Sequence, residues 1–139
     1  MSSVTLLGSS QMQKDMTGDP IKADGWYGYP DGLHTIAIVL ANFIGRIYIE
    51  GTLSSNPSDC DWFPIKLHPN QTNYYLEFPI DPNSVNEYNG GDSGVFSYTF
   101  KVFCLYLRAR VERSYFINLT TQPSEIELLG QVRQILLSL

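Results

Sequence analysis

The sequence predicts an all-β protein, an antiparallel β-sandwich of the jelly-roll type with about eight strands. Three observations favour this fold class. Aromatic residues make up 13% of the 139 residues and charged residues only 17%, which disfavours both disorder and helical bundles rich in Ala, Glu, Lys and Leu. Short β-branched and aromatic runs recur between clusters of turn-forming residues. The chain length is that of one domain able to bury a core.

The chain begins with a polar segment, residues 1–24, before the single domain that we predict for residues 25–139. This segment is either an N-terminal arm or an irregular first strand, because only residues 4–7 resemble a strand. It lacks the basic and apolar regions of a signal peptide. The longest apolar run, residues 36–41, is far shorter than the ~20 residues of a membrane span. We therefore expect neither secretion nor membrane contact.

The strands predicted next follow the two patterns expected of β-structure. Residues 33–41 are rich in aliphatic and β-branched residues, which predicts a strand buried on both faces. Residues 42–45 break this run as a turn, and residues 46–50 then alternate Ile with polar or aromatic residues, as a half-buried strand does. Residues 61–65 and 75–80 are further candidates, and the proline of the first predicts a sheet edge or a strand end.

The clearest alternation runs from residue 96 to residue 111 and changes parity at residues 102–103. The apolar residues are Phe96, Tyr98, Phe100 and Val102 on one parity, then Phe103, Leu105, Leu107, Ala109 and Val111 on the other. This change predicts a bulge, or the loss of an exposed face, within one long strand. We predict that the aromatic members of the set, together with Trp62, lie in the sandwich core. For Trp62 the alternative is an exposed ring on which a ligand stacks.

The rest of the chain contains one more strand candidate, residues 115–119, and an ambiguous tail, residues 126–139. Four apolar residues of the tail recur at helical spacing: Ile126, Leu129, Val132 and Leu136. However, Gly130 interrupts that pattern, and residues 135–139 suit a closing strand. We favour the strand.

The charge, the cysteines and the histidines restrict the classes of function. The net charge is −5, and nine basic residues are scattered among fourteen acidic ones. This leaves no patch for a phosphate backbone, so we expect no nucleic-acid binding. Cys60 and Cys104 match no metal-binding spacing and are expected to be reduced thiols. His34 and His68 have no acidic or cysteine companion at ligand spacing.

The sequence offers no recognised catalytic motif. It contains no phosphate-binding loop with its lysine and no Gly-x-Ser-x-Gly nucleophile motif. We therefore predict a protein that is not an enzyme, with no catalytic residues, no metal and no cofactor, and a small hydrolase is disfavoured. Asp59, Asp61 and Asp92 leave a calcium site open as an alternative, but isolated loop aspartates ordinarily form turns.

Aromatic residues in a glycine-rich loop, Trp26, Tyr27 and Tyr29, are the best candidates for recognition. Flat rings beside glycines can stack on a sugar or anchor in a partner protein. The alternative is that these rings cap one open end of the sandwich.

Arg108 and Arg110 are the second pair of candidates, because they share the polar face of an alternating strand. One possibility is that they form ion pairs with acidic neighbours such as Glu50 or Glu112, which contribute little if they are exposed. The other is that they contact a neighbouring subunit.

Several segments resemble known structural proteins. Residues 47–53, Ile-Tyr-Ile-Glu-Gly-Thr-Leu, followed by residues 61–65, Asp-Trp-Phe-Pro-Ile, resemble a unit of the galactose-binding-type, or discoidin-like, jelly rolls. Residues 106–111, Tyr-Leu-Arg-Ala-Arg-Val, resemble a later strand of that fold. The combination of residues 45–47, Gly-Arg-Ile, through residues 61–63, Asp-Trp-Phe, together with the short length and the acidic, unsecreted chain, resembles small virion structural proteins of contractile-tailed phages still more closely.

This resemblance implies a non-enzymatic structural protein of a tailed phage, located in the tail, neck, baseplate or head surface of the virion. Its partners would be other virion proteins and further copies of itself, and it would be assembled in the host cytoplasm. The alternative function is a carbohydrate-binding module that uses the Trp/Tyr loop.

Overall fold

The computed structural model describes residues 3–8, 15–28, 32–67, 73–78, 92–113 and 130–138. In these residues the protein is all-β with antiparallel sheets and no helix, so none of them belongs to a helix that could cross a membrane. The strands of the described residues are β1 (Ser3–Leu7), β2 (Asp15–Thr17), β3 (Ile21–Lys22), β4 (Leu33–Phe43), β5 (Gly45–Thr52), β6 (Phe63–Pro64), β7 (Leu76–Phe78), β8 (Asp92–Lys101), β9 (Tyr106–Glu112) and β10 (Gln131–Ser138).

The strands form two sheets. Sheet A has the order β1-β10-β4-β8. Sheet B has the order β2-β9-β5-β6, with β3 also paired to β9 and β7 also paired to β5. The first and last described strands are therefore neighbours in sheet A, and β5 and β9 occupy the centre of sheet B.

Alternate residues of both sheets pack into one hydrophobic core. In β4, Ile36 and Ile38 are fully buried whereas Ala37 and Val39 are only half-buried, so the prediction that this strand is buried on both faces is wrong. Sheet B contributes the inward residues of its two central strands: Ile47, Ile49, Leu107, Ala109 and Val111. Each large aliphatic side chain that is fully buried stabilises the fold by about 1.5–3 kcal/mol.

The chain passes from sheet A to sheet B at residues 42–45, where the sequence predicts a turn, but Asn42 and Phe43 still belong to β4 and Gly45 already begins β5. Asn42 has a φ of 54°, in the left-handed region that asparagine tolerates. Ile44 alone separates β4 from β5. This corner fixes where β5 begins, and with it the register of the central pair of sheet B.

The long alternating segment is two strands rather than one strand with a bulge. β8 lies in sheet A and β9 in sheet B, and residues 102–105 cross between the sheets. The parity changes because even-numbered residues of β8 and odd-numbered residues of β9 face the same core. Phe100 is buried and Phe96 and Tyr98 pack against the core, as predicted, but Phe103 lies in the crossing and is 55% exposed.

Both ends of the chain contribute strands to sheet A. β1 pairs with β10 and places Leu6 and Leu7 in the core, and the strand favoured for the tail is confirmed over Gln131–Ser138. At the edge of sheet B, β6 contains the proline of residues 61–65, as predicted. The strand candidate at residues 115–119 lies outside the described residues.

Candidate functional site

The outward side chains of β5 and β9 form a face on which charged and aromatic residues are paired in register. Because the inward residues of these strands fill the core, the alternate residues must point away from it. The cross-strand pairs are Arg46 with Glu112, Tyr48 with Arg110, Glu50 with Arg108 and Thr52 with Tyr106. We call this surface, with the side chains that pack on it, the outer face of sheet B.

Glu50 is the centre of an ion-pair network on this face. Its carboxylate accepts hydrogen bonds from Nε of Arg108 at 2.8 Å and from Nε of Arg110 at 3.3 Å. Arg110 also donates through Nη1 to Glu112 at 3.3 Å. The ion pairs predicted from the sequence are therefore confirmed. With only 9% of its side chain exposed, Glu50 depends on these two guanidinium groups to compensate its desolvation.

Each arginine of the network also lies over an aromatic ring. The distances from guanidinium carbon to ring centroid are 4.4 Å for Arg108 over Trp62, 3.9 Å for Arg110 over Tyr48 and 4.4 Å for Arg46 over Tyr75. Stacking and ion pairing together hold these planar groups in one orientation. The prediction that Trp62 lies in the core is wrong, because it packs on the outer face while its neighbour Phe63 contacts the core.

Tyr48 is held in its neutral form on this face. Burial raises the pKa of its hydroxyl, and the carboxylate of Glu112 raises it further, against the opposing effect of Arg110. The hydroxyl donates a hydrogen bond to Oε1 of Glu112 at 3.4 Å. The ring of Tyr75 lies 5.5 Å from that of Tyr48 and extends the aromatic surface.

The loop that contains Trp26 adjoins the same face. The ring of Trp26 lies 5.4 Å from that of Tyr106, and Nζ of Lys22 lies 4.6 Å from the Trp26 ring. Tyr106 precedes Arg108 by two residues on one face of β9, so the loop continues the row of stacked groups. Trp26 is 41% and Tyr27 51% exposed. The predicted contact residue Tyr29 lies outside the described residues.

The structure thus brings Trp26, Arg108 and Arg110, which were predicted as separate candidates, onto one face. Sequence reasoning missed Arg46, Tyr48 and Tyr75 as site residues, and it placed Trp62 on a binding surface only as the alternative to the core. The alternation of polar or aromatic residues in 46–50 and 106–112 was the available signal. It shows which side chains share a strand face, but it does not show which two strands are neighbours.

A buried histidine anchors the start of the Trp26 loop. His34 donates from Nδ1 to the carbonyl of Gly32 at 2.8 Å, and its Nε2 accepts the backbone N–H of Asp24 at 3.3 Å. Backbone bonds from Ala23 to Leu105 and from Gly25 to Cys104 tie the same residues to the crossing segment. The position of Trp26 is therefore set by buried contacts.

Cys104, which accepts the backbone hydrogen bond from Gly25, is also fully buried. Burial raises the pKa of the Cys104 thiol to about 12, with Asp24 adding to the effect, so the thiol is protonated at neutral pH. Cys104 and the exposed Cys60 are both free thiols, as predicted. His68 lies outside the described residues.

The loop aspartates considered for calcium have other roles where the structure describes them. Oδ2 of Asp61 accepts the backbone N–H of Ser58 at 2.7 Å, which is a turn contact, and Asp92 begins β8. Among the described residues, no group of three His, Cys, Asp or Glu side chains is placed to hold a metal ion.

Comparison of the chain with protein-family models, with curated proteins and with solved structures finds no match in any of the three.

We expect the free energy of unfolding to fall as the pH is lowered through 6.5, the ordinary pKa of histidine. Burial lowers the pKa of folded His34, partly offset by Asp24 and the Gly32 carbonyl, so the unfolded chain takes up the proton first. The stability that neutral His34 contributes is fully present above the pKa of histidine in the unfolded chain and is lost as the pH falls below it. Urea unfolding at about pH 7.5 and about pH 5.5 measures this.

The control for this prediction is His34→Gln, which should show a weaker dependence of stability on pH over the same interval. An NMR titration of the His34 ring provides a second measurement, and the ring should remain neutral below pH 6.5. A ring that protonates above that value, or an equally steep loss of stability in the variant, would contradict the assignment.

Proposed function

We propose that this chain is a non-enzymatic structural subunit of a tailed-phage virion that binds other virion subunits through the outer face of sheet B. The observation behind the binding surface is the set of Tyr and Arg side chains paired in register on β5 and β9, with Trp62 stacked on Arg108. These three residue types are enriched at the energetic centres of protein interfaces.

The geometry of the face favours binding because its polar groups are already ordered. Stacked and ion-paired guanidinium groups lose little conformational entropy when a partner covers them. Arg108 uses only Nε toward Glu50 among the described residues, so its Nη groups remain able to donate to a partner. The ion pairs join three arginines to three glutamates, Arg46, Arg108, Arg110, Glu50, Glu77 and Glu112. The network is electrically balanced and does not require a strongly charged partner.

We also propose that the two sheets form a jelly-roll sandwich. The support for this fold is the order in which the strands pair. If the short strands β2 and β3 are counted as one strand, and β6 and β7 as another, the protein has eight strands among the described residues. Counted in this way, the first strand pairs with the eighth, the second with the seventh, the third with the sixth and the fourth with the fifth. Successive pairs alternate between the sheets. Jelly rolls occur in viral capsid proteins and in lectins, and the fold alone does not decide between these functions.

The assignment to a phage particle is supported by the resemblance of the combination of residues 45–47 through 61–63 to small virion proteins. This stretch contains β5 and Trp62. The stretch behind the resemblance thus also supplies one of the two central strands of the outer face of sheet B and the ring that stacks on Arg108. The site in the particle would be the tail, neck, baseplate or head surface.

Particle incorporation tests this function. We expect purified virions to contain the chain, and Trp62→Ala and Arg108→Ala variants to be incorporated about 30-fold less, as loss of an interface hot spot would cause. The matched control is Phe103→Ala, which removes a ring that is 55% exposed but lies outside this face. Circular dichroism of each variant verifies folding. Absence of the chain from virions, or equal incorporation of folded variants, would overturn the proposal.

A carbohydrate-binding module is the second candidate, favoured by the exposed rings of Trp26 and Tyr27. Exposed rings in a loop stack well on sugars. A glycan array decides between the two candidates. Binding that is abolished by Trp26→Ala would support the module, and no binding, or binding insensitive to that change, would remove it.

A further inference from the structure

The side chain of His34 joins the two ends of the connection between β3 and β4. Its Nδ1 lies 2.8 Å from the carbonyl oxygen of Gly32, and its Nε2 lies 3.3 Å from the backbone nitrogen of Asp24. A carbonyl can only accept a hydrogen bond and a backbone N–H can only donate one, so these partners place the proton on Nδ1 and leave Nε2 as an acceptor. Because the ring is fully buried, solvent does not readily replace either partner.

One peptide group couples this ring to Trp26. The peptide between Ala23 and Asp24 donates its N–H to His34, and its carbonyl oxygen accepts the N–H of Trp26 at 3.0 Å. Two further bonds between residues three apart complete a turn over residues 23–28, which we call the Trp26 turn. Since a peptide group is planar, its N–H and its carbonyl rotate together. A change at Nε2 of the ring is therefore passed on to the backbone of Trp26.

A proton on Nε2 would reverse this contact. The protonated ring has two N–H donors and no acceptor, so its new N–H would face the N–H of Asp24. That backbone group would lose its partner in a buried place, which is unfavourable. Oδ1 of Asp24 lies 3.8 Å from Nε2 and would attract the imidazolium. Closing this gap to the roughly 2.8 Å of a charge-assisted hydrogen bond requires the backbone of Asp24 to turn.

The neighbours of the ring determine where it titrates. Among the described residues, Asp24 is the charged group that faces it, and the uncharged ring of Phe100 stacks on it from β8 at 5.5 Å. Asp24 also raises the pKa of the Cys104 thiol in the crossing segment, and this thiol is neutral. Burial lowers the pKa of His34 from its ordinary value of 6.5, and Asp24 and the Gly32 carbonyl oppose this in part. The ring is therefore expected to take up its proton below pH 6.5.

We propose that protonation of His34 detaches the Trp26 turn from the outer face of sheet B. With the ring neutral, the Trp26 side chain lies 5.4 Å from the ring of Tyr106 and 4.6 Å from Nζ of Lys22. When the backbone of Asp24 turns, Trp26 leaves Tyr106, and the stacked groups of this face end at β9. The movement is a local opening that leaves the pairing of β5 with β9 in place.

The movement itself does not depend on any partner. That acid also weakens the binding of another subunit rests on the proposed function, because Trp26 then no longer extends the surface that the subunit would cover. The experiment is therefore made on the isolated chain, where the movement is measured without a partner.

Quenching of tryptophan fluorescence by acrylamide measures the movement. The chain contains two tryptophans, so Trp62→Phe leaves Trp26 as the reporter. We expect the quenching constant to rise about twofold from about pH 7.5 to about pH 5, since Trp26 is 41% exposed while the turn is attached. The midpoint should coincide with that of the His34 ring in an NMR titration. The far-UV circular dichroism should stay constant over the same interval.

Three variants in the Trp62→Phe chain separate His34 from general effects of acid. His34→Gln carries a carbonyl oxygen that can accept from Asp24 and an amide that can donate to Gly32, but it does not titrate, so quenching should be independent of pH. Asp24→Asn removes the carboxylate that favours the imidazolium and should move the midpoint to lower pH. Glu77→Gln, the matched control on β7, should leave the midpoint unchanged.

A ring that stays neutral for as long as the chain is folded, or a Trp26 whose quenching does not follow the titration of the ring, would overturn the inference. So would an equal response in folded His34→Gln, an unchanged midpoint in Asp24→Asn, or a rise in quenching that coincides with loss of the circular dichroism signal. If His34→Gln does not fold, the shift in Asp24→Asn decides. If quenching is insensitive to pH while particle incorporation still depends on Trp62 and Arg108, only this inference fails, and the converse result removes only the proposed function.

Discussion

Replacing Gly130 with alanine is expected to lower the free energy of unfolding by about 3 kcal/mol. Gly130 has a φ of 69°, a backbone conformation that residues with a side chain rarely adopt. An added Cβ would also collide with the carbonyl oxygens of Ala41 and Asn42 at the corner between β4 and β5. Backbone cannot move aside as a flexible side chain can, so either β10 or the corner must shift.

Arg113 makes this position more sensitive. The side chain of Arg113 is fully buried, and burial lowers its pKa to about 10, so it is still charged at neutral pH. Its Nη1 donates to the carbonyl of Gly130 at 2.8 Å, and its guanidinium lies 4.7 Å from the ring centroid of Phe43. A displaced Gly130 would therefore weaken a hydrogen bond to a buried charge as well.

Gly28→Ala is the matched control for this prediction. Gly28 also has a positive φ, 79°, but an added Cβ would meet nothing within 4 Å. Only the backbone strain remains, which costs about 1 kcal/mol. Urea unfolding of both variants separates the two effects. If both variants lose the same free energy of unfolding, the backbone at the corner accommodates the added Cβ at position 130 at no cost in stability, which would contradict the prediction.

Replacing Glu50 with glutamine is expected to lower the free energy of unfolding by about 2 kcal/mol. Hydrogen bonds to charged groups are each worth about 1.5–3 kcal/mol. The hydrogen bond to Arg110 contributes less than this, because Arg110 is partly exposed to solvent. The side chains of Glu50 and Arg108 are only 9% and 13% exposed. The amide would leave Arg108 and Arg110 without the carboxylate that they share. Their mutual repulsion should then loosen the stacking of Arg108 on Trp62.

Glu77→Gln is the control for the network. Glu77 is 49% exposed and forms an ion pair with Arg46 at 3.5 Å, so its loss should cost no more than about 0.5 kcal/mol. Tryptophan fluorescence should change in Glu50→Gln and not in Glu77→Gln. If both variants are as stable as wild type, the network does not hold the face in place.

Local sequence patterns predicted most strands of the fold. The alternation in residues 46–50, the break in the apolar run at residues 42–45 and the closing strand of the tail follow from side-chain periodicity and turn chemistry. These properties depend on neighbours in sequence, and the structure agrees with them in β5, in the corner and in β10.

Properties that depend on distant residues could not be predicted in the same way. A change of parity has the same appearance whether a strand bulges or the chain changes sheets, so the break between β8 and β9 was interpreted as a bulge. Trp62 was assigned to the core by its size, because nothing near it in sequence indicates Arg108 above its ring. The same limit applies to the candidate site, since Trp26 packs beside Tyr106 of β9, a residue far from it in the sequence.

We propose that another subunit covers the outer face of sheet B in a virion particle. Hydroxyl-radical footprinting of the free chain and of the assembled particle tests it most directly, because aromatic side chains react where they are exposed. We expect Trp26, Trp62 and Tyr75 to react in the free chain and to be protected in the particle, with Phe103 as the reference outside the face. Equal reactivity of these three rings in both states would contradict the claim.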